Sequence, residues 1–354
     1  MPSLDLSVTS VELTRALCDI ESVSGNEKSI ADAIEAAVSG LAHLDVTRDG
    51  DAIVARTNLG RSRRVVIAGH IDTVPVNGNL PTRLDGDTLW GRGTVDMKAG
   101  VAVQLKLAAE LTSPVVDVTW IWYDHEEVSS DLNGLGRLAR HRPELLAGDF
   151  AILGEPTSAL VEGGCNGTLR VDLRTTGVRA HSARAWVGSN AIHAAAPILS
   201  LLAAYEPREV EVDGLVYREG LNAVGVSGGV AGNVIPDECV VSLNYRFAPS
   251  RSGAEALEHI RELFPGTELT VVDLSEGARP GLDAPLAQEF LAAVGGEAKP
   301  KYGWTDVARF SALGIPAVNY GPGDPLRAHA DDERVELSEI IECERGLRAW
   351  LSGV

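Results

Sequence analysis

Cysteine is scarce in this sequence, and the four thiols, Cys18, Cys165, Cys239 and Cys343, lie far apart with no C-x-x-C spacing. That scatter argues against a thiolate metal site and against a disulfide framework, and leaves small buried core residues as the reading. Basic residues are also in short supply: 31 Lys and Arg stand against 50 Asp and Glu, for a formal charge of -19. Phosphate binding needs Lys and Arg clustered on one face, so nucleic acid is not an expected partner. No charge-free run approaches bilayer-spanning length, so no membrane is expected either. The opening "MPSLDLSVTSVELTRALCDI" has no basic segment followed by an apolar one, and a cytoplasmic location is expected. Internal repeats and low-complexity linkers are absent from the sequence as well.

What is present is an ordinary globular composition, 45% hydrophobic with 37 Gly and 17 Pro, in 354 residues that exceed the usual size of one core. Two domains are therefore expected. The first half alternates helical segments, "SVELTRALCDI" opening on a Ser and "KSIADAIEAAVSGL" after it, with the continuous apolar runs "RVVIAG", "VDVTWIWY" and "DFAILG". Such runs suit strands buried on both faces of a layered α/β domain, and "MKAGVAVQLKLAAEL" is predicted to be a long helix between them. From about residue 163 the pattern becomes alternating, in "LRVDLRTTG", "AVGVSGGVAG" and "ECVVSLNYRFAP", with helices predicted at "SNAIHAAAPILSLLAAY" and "SGAEALEHIRELF". The order strand, helix, strand, strand, helix, strand fits a small ferredoxin-like sandwich. The α/β character returns with "IPAVNYG", so the second domain is predicted to be inserted into the first: 1–162 and 280–354 around 163–279.

The chemistry gathers at strand ends. "AGHIDTVP" sets His70 and Asp72 one residue apart after a buried run, "WGRGTVDMKAG" sets Asp96 before the long helix, and "WYDHEEVSS" sets Glu126 and Glu127 after a second strand. "AILGEPTS" sets Glu155 after a third, and "PLRAHADDE" adds His329 near the C-terminus. Open α/β sheets assemble their sites at the carboxyl ends of strands. Acids crowded there would repel one another unless cations sit between them. Two His with Asp and Glu carboxylates are ligand types that suit Zn²⁺, and two ions about 3.5 to 4 Å apart can share one bridging carboxylate. Asp72 then orients rather than ligates, accepting the second N–H of a ligating His70.

The ordered run GHIDTVP, WGRGTVDMKAG, DHEEV, LGEPT and AHADDE resembles the di-zinc aminoacylase and carboxypeptidase family over nearly the whole chain. The resemblance implies a zinc-peptidase-like catalytic domain with a mixed, largely parallel sheet, plus an inserted ferredoxin-like α+β dimerisation or lid domain. It implies two zinc ions, with cobalt or manganese as possible substitutes. His70 and Glu155 would hold one ion, His329 and Glu127 the other, and Asp96 would bridge them, followed by a cis peptide bond to Met97. Glu126 matches the general base. His181, in "VRAHSARAWVGSN", matches an oxyanion donor that reaches a partner subunit's site, which implies a homodimer through the inserted domain, while His193 is read as structural.

The activity so implied is hydrolysis of the acyl amide of a small anionic N-acyl amino acid. Residues suited to meet its carboxylates are Asn233, Arg246, Thr305 and Arg309, with Arg184 as a further candidate. The stretches from "TVPVNGN" to "DMKAG" and "RAHSARAWVGSNAIHAAAPIL" are similar to the actinobacterial desuccinylase branch of that family, which implies a succinyl amide of diaminopimelate; the alternatives are an acetylornithine deacetylase, another N-acyl-amino-acid amidohydrolase or a carboxypeptidase, and, against the retention of Glu126 and all five ligand positions, a non-catalytic relative.

Overall fold

The apolar runs form the middle of an eight-stranded sheet in the computed structural model, which describes residues 2–354. Asp117–Tyr123, Arg64–His70, Phe150–Leu153 and Ala317–Asn319 lie side by side and parallel. All seven residues of Asp117–Tyr123 are buried, as a strand covered on both faces requires. An antiparallel hairpin, Asp45–Asp49 with Ala52–Arg56, extends the sheet on one side. Glu162–Gly163 continues the sheet antiparallel beyond Ala317–Asn319, and Lys299–Pro300 is the last of the eight strands.

The helix Lys98–Glu110 is buried on every side from Lys98 to Ala108, which explains why its sequence is largely apolar, and its buried Lys98, Gln104 and Lys106 donate to backbone carbonyls. Gly100 lets it approach the sheet: a Cβ there would meet the Gly154 carbonyl oxygen at 2.2 Å. Gly154 immediately follows the strand Phe150–Leu153 and precedes Glu155, so this close approach fixes the backbone from which Glu155 projects. The helix Ser10–Cys18 begins on a capping box at Thr9, one residue before the Ser that opened the predicted segment. The Thr9 hydroxyl accepts the Glu12 amide at 3.2 Å, and the Glu12 carboxylate accepts the Thr9 amide at 3.0 Å.

Two compact units result. One contains the chain up to Gly164 with Pro280–Lys299 and Thr305–Val354; the other contains Cys165–Arg279 with Pro300–Trp304. The segment 300–304, expected in the first unit, falls in the second because the Asn166 amide donates to the Lys301 carbonyl at 3.2 Å and the Trp304 indole N–H to the Glu276 carbonyl at 3.0 Å. Where the second unit begins and ends, Cys165 and Ala278 exchange backbone hydrogen bonds, both 3.0 Å.

The second unit carries a four-stranded antiparallel sheet ordered Gly220–Gly228, Glu238–Phe247, Gly167–Thr176, Glu268–Ser275. With the helical segments before Gly220 and at Gly253–Leu263, this is the ferredoxin-like order. The single helix predicted over "SNAIHAAAPILSLLAAY" is instead two, Ala191–Ala194 and Ala196–Ala203, because Pro197 has no amide to continue the first and takes an early position in the second. Short elements went unpredicted: the hairpin Glu209–Val212 with Leu215–Arg218, and a three-stranded sheet of Arg83–Asp85, Thr88–Trp90 and Arg334–Glu336. Among the described residues no helix is long and apolar enough to cross a membrane.

Gly100→Ala separates two opposing effects. Helix propensity alone would favour Ala by about 1 kcal/mol, whereas overpacking against the Gly154 carbonyl costs about 1–3 kcal/mol or more. Urea unfolding is expected to show a net loss of stability, and a gain would mean that the helix can retreat at no cost.

Candidate active site

The parallel strands end in register, His70 opposite Tyr123 and Ala68 opposite Leu153, so the residues that follow them emerge on one side of the sheet. His70 is 1% exposed and ends its strand. Its Nε2 lies 2.9 Å from Asp96 Oδ1, and its Nδ1 lies 3.1 Å from the Asp72 carbonyl oxygen and 3.4 Å from the Asp72 carboxylate. Asp96 uses its second oxygen as well: Oδ2 lies 3.2 Å from His329 Nε2, which is 3.1 Å from the Glu127 carboxylate. The peptide bond between Asp96 and Met97 is cis, and His329 sits at φ +64 in its loop.

Asp72 does more than face His70. Its oxygens accept the amides of Glu126 at 3.1 Å and Glu127 at 3.0 Å, and the Ser24 hydroxyl at 2.5 Å. One buried carboxylate therefore sets the histidine ring and the loop that carries both glutamates. The ligand atoms of His70, Asp96 and Glu127 all lie within 4.8 Å of one another. His329 touches Asp96 and Glu127 from the loop side. Glu155 is buried beyond its strand, near enough to Glu126 to raise that group's proton affinity, but it is not part of the close triad.

The remaining candidates divide between the units. In the first, the Thr305 hydroxyl donates to Asn319 Oδ1 at 2.9 Å, and the Arg309 guanidinium pairs with Asp306 and reaches the Ser130 hydroxyl at 3.1 Å. Both side chains are thus engaged within the unit's own framework. In the second unit, the strand Ala180–His181 pairs with Val234–Ile235, and the Ser182 amide donates to the Asn233 carbonyl at 2.9 Å, which brings His181 and Asn233 together. His181 is exposed and its Nδ1 accepts the Ala183 amide at 3.1 Å, so in the neutral ring the proton resides on Nε2. Arg184 is exposed in the following short 3-10 segment, and Arg246 is half-buried with Nε donating to Asn244 Oδ1 at 3.1 Å. His193 is exposed on the helix Ala191–Ala194.

Sequence reasoning missed several supporting residues. Asp306, fully buried, accepts the Tyr123 hydroxyl at 2.8 Å and the Asn133 side-chain amide at 2.9 Å, gripping both ends of the segment that carries Glu126 and Glu127. Ser24 and Glu333 are likewise hidden. Asp306 and Glu333 stand inside stretches already singled out for other residues, "GWTDVARF" and "AHADDE", and an acid embedded in such a stretch was the available signal.

The family model of peptidase family M20/M25/M40 matches residues 66–352. This chain belongs to that family. Among M20 relatives, it is 48% identical to the succinyl-diaminopimelate desuccinylase of Corynebacterium glutamicum over 362 residues, covering 99% of this chain and 98% of that one. It is 54% identical to a Mycobacterium tuberculosis protein provisionally described by the same name, over 353 residues, 99% of this chain and 100% of the other. Among solved structures, a Staphylococcus aureus tripeptidase superposes with TM-score 0.80 at 21% identity, covering 99% and 98% of the two chains. The M20 metallo-carboxypeptidase of Sulfolobus solfataricus gives 0.79 at 17% identity, with 98% and 99% covered. These two likenesses establish the shared fold.

M20 proteins are metal-dependent hydrolases, and the donor set here fits a cation. Two imidazoles and two carboxylates converge, ligand types that suit a divalent ion, and their mutual contacts shift their proton affinities. Burial opposes charge on His70, but its hydrogen bonds to Asp72 and Asp96 outweigh that and hold its pKa well above the ordinary value. Hydrogen bonds to Asp96 and Glu127 raise His329 to about 10. Burial pushes Glu126 up, reinforced by Glu155, Asp306 and Glu127 and opposed by His70.

A metal ligand imidazole must be neutral, so binding competes with the protons that these histidines favour. Calorimetric zinc titration at pH 7 in buffers of different ionisation heat is expected to report proton release. Affinity should therefore rise with pH, up to about 10 where His329 loses its proton unaided. Binding without proton release would contradict the raised proton affinity described for the pair.

Proposed function

We propose that this protein is a metal-dependent amidohydrolase that cleaves N-succinyl-LL-2,6-diaminopimelate to succinate and LL-2,6-diaminopimelate, with two zinc ions as its resident metals. The observation that carries the chemistry is Asp96 shared between His70 and His329, one carboxylate oxygen facing each. The 54% and 48% identities to proteins named as desuccinylases, each over 99% of this chain, support the substrate.

In this reading His70 and Glu155 hold one ion, Glu127 and His329 the other, and Asp96 stands between them. Bound there, the ions would polarise the scissile carbonyl and acidify a water. Glu126, its backbone pinned by Asp72, takes the proton from the water as its oxygen bonds to the carbonyl carbon. Its raised proton affinity lets it retain that proton while the tetrahedral centre exists. It then passes the proton to the amine nitrogen as the C–N bond breaks, and the water's second proton leaves the new carboxyl group and is taken up by the amine, yielding carboxylate and ammonium. His181, with its proton on Nε2, is assigned as the donor to the oxyanion. Asn233, Arg246 and Arg184 are assigned to the substrate's carboxylates, and Thr305 and Arg309 to bracing the wall in which their own bonds hold them. The cytoplasm is the setting assigned, and four free, buried cysteines suit a reducing compartment.

The assignment extends to a homodimer through the second unit. Gly220–Gly228 is an edge strand whose residues from Asn222 onward are exposed, with Val224 and Val226 at 63% and 55%. Such an edge invites pairing with another copy. Sedimentation velocity is expected to give a dimer for the wild type and a monomer for Val226→Lys, and a monomeric wild type would remove the dimer from the reading.

The zinc-loaded protein should hydrolyse N-succinyl-diaminopimelate faster than N-acetylornithine, and the reverse order would replace the assigned substrate. Glu126→Gln should keep the metal content and lose about 10²–10⁴-fold in turnover. Undiminished turnover in that variant would require a different base.

A further inference from the structure

Asp96 can face both histidines only if its backbone is held at a fixed place relative to each. His70 is fixed by its strand, but His329 lies in a loop and needs a separate tether. The structure contains one. Glu333, four residues past His329, is 1% exposed, and its Oε1 accepts the successive amides of Val95 at 2.9 Å and Asp96 at 3.2 Å. Its Oε2 accepts Arg92 Nη1 at 2.7 Å, with the Arg92 side chain 4% exposed. Its carbonyl oxygen accepts the Gly91 amide at 3.0 Å. The adjoining strands set this register: Arg334 pairs opposite Trp90, and the Arg334 guanidinium lies 4.4 Å from the Trp90 ring centre. One residue of the His329 loop thereby grips both ends of the turn from Gly91 to Asp96.

We propose that the buried Glu333–Arg92 pair is a positioning device that holds the Asp96 turn and the His329 loop at one separation, so that a single carboxylate can serve both histidines. The inference rests on the metal-site reading given above. An acceptor-only group is required at 333, since every neighbour it meets is a donor: two backbone N–H groups and a guanidinium. Burial raises the proton affinity of Glu333, and the two amides and the Arg92 charge oppose that rise. The device acts most directly on the loop that bears His329, so its loss should weaken the ion between Asp96, Glu127 and His329 more than the ion on the His70 side.

Glu333→Gln tests this, because however the amide is turned its NH2 faces a donor. Zinc calorimetry on the folded, metal-stripped variant is expected to find one site close to wild type and the other weakened about 10- to 100-fold. At saturating zinc, kcat should fall while KM is kept. A merely structural pair would lower the unfolding midpoint and leave both zinc affinities of the folded protein unchanged, and that result would overturn the inference. Should Glu333→Gln fail to fold, Arg92→Met and Arg92→Lys replace it. The Met variant should weaken the same site and the Lys variant should restore it, whereas wild-type zinc binding by Arg92→Met would overturn the inference. Wild-type protein that binds zinc but leaves the succinyl amide intact would sink the assigned substrate and not this device. A Glu333→Gln protein with wild-type zinc binding would sink the device and not the substrate.

Discussion

Carboxylates crowded at the end of a buried sheet must be neutralised, and nearly every feature of the first unit answers to that requirement. Asp72, Asp96, Glu126, Glu127 and Glu155 all follow or flank the parallel strands; Asp72 and Glu155 are buried and the other three are partly buried. The acids around His70 and His329 raise the proton affinity of both rings. A divalent cation meets the same need with more charge in less space. Metal affinity and the proton affinity of the histidines are thus two expressions of one electrostatic demand.

The scaffold meets this demand by fixing backbone before side chain. The strands bring His70 and the segment after Tyr123 into line, the fully buried helix presses against the strand that ends before Glu155, and the Asp72 carboxylate ties down the amides of Glu126 and Glu127. Asp306 repeats the strategy from the far side of the same segment through Tyr123 and Asn133. Asp72, Asp306 and Glu333 are carboxylates buried in the protein that hold the segments bearing Asp96, Glu126 and Glu127. Burying such a group is costly unless it is fully bonded, and these are.

What could be read from the sequence follows from the same division. His70, Asp96, Glu126, Glu127, Glu155 and His329 stand at the ends of apolar runs or in compact motifs, where local pattern reveals both the strand and the polar residue after it. The parallel core was legible because a strand covered on both faces has a composition of its own. The break at Pro197 was legible in principle and was overridden by the helical period around it. The placement of 300–304 was not, since it depends on hydrogen bonds to Asn166 and Glu276 across more than one change of element. Ser24 was invisible for a related reason, lying 48 positions from the carboxylate it serves, while Glu333, 238 positions from the Val95 amide it accepts, was signalled only by its place in "AHADDE" and not by any link to its partner. No periodicity links residues so distant.

The paired amides and carbonyls of Cys165 and Ala278 carry a different consequence. Where the polypeptide leaves the first unit and where it comes back, the two strands are clasped to each other, so the inserted module ties off its own loop. The host fold sees little more than a short gap bridged by neighbouring residues, and the entropy of closing more than a hundred residues falls on the module. The host core therefore meets the module as a closed insertion, and changes of length or sequence inside the module leave the closure that the host must make unchanged.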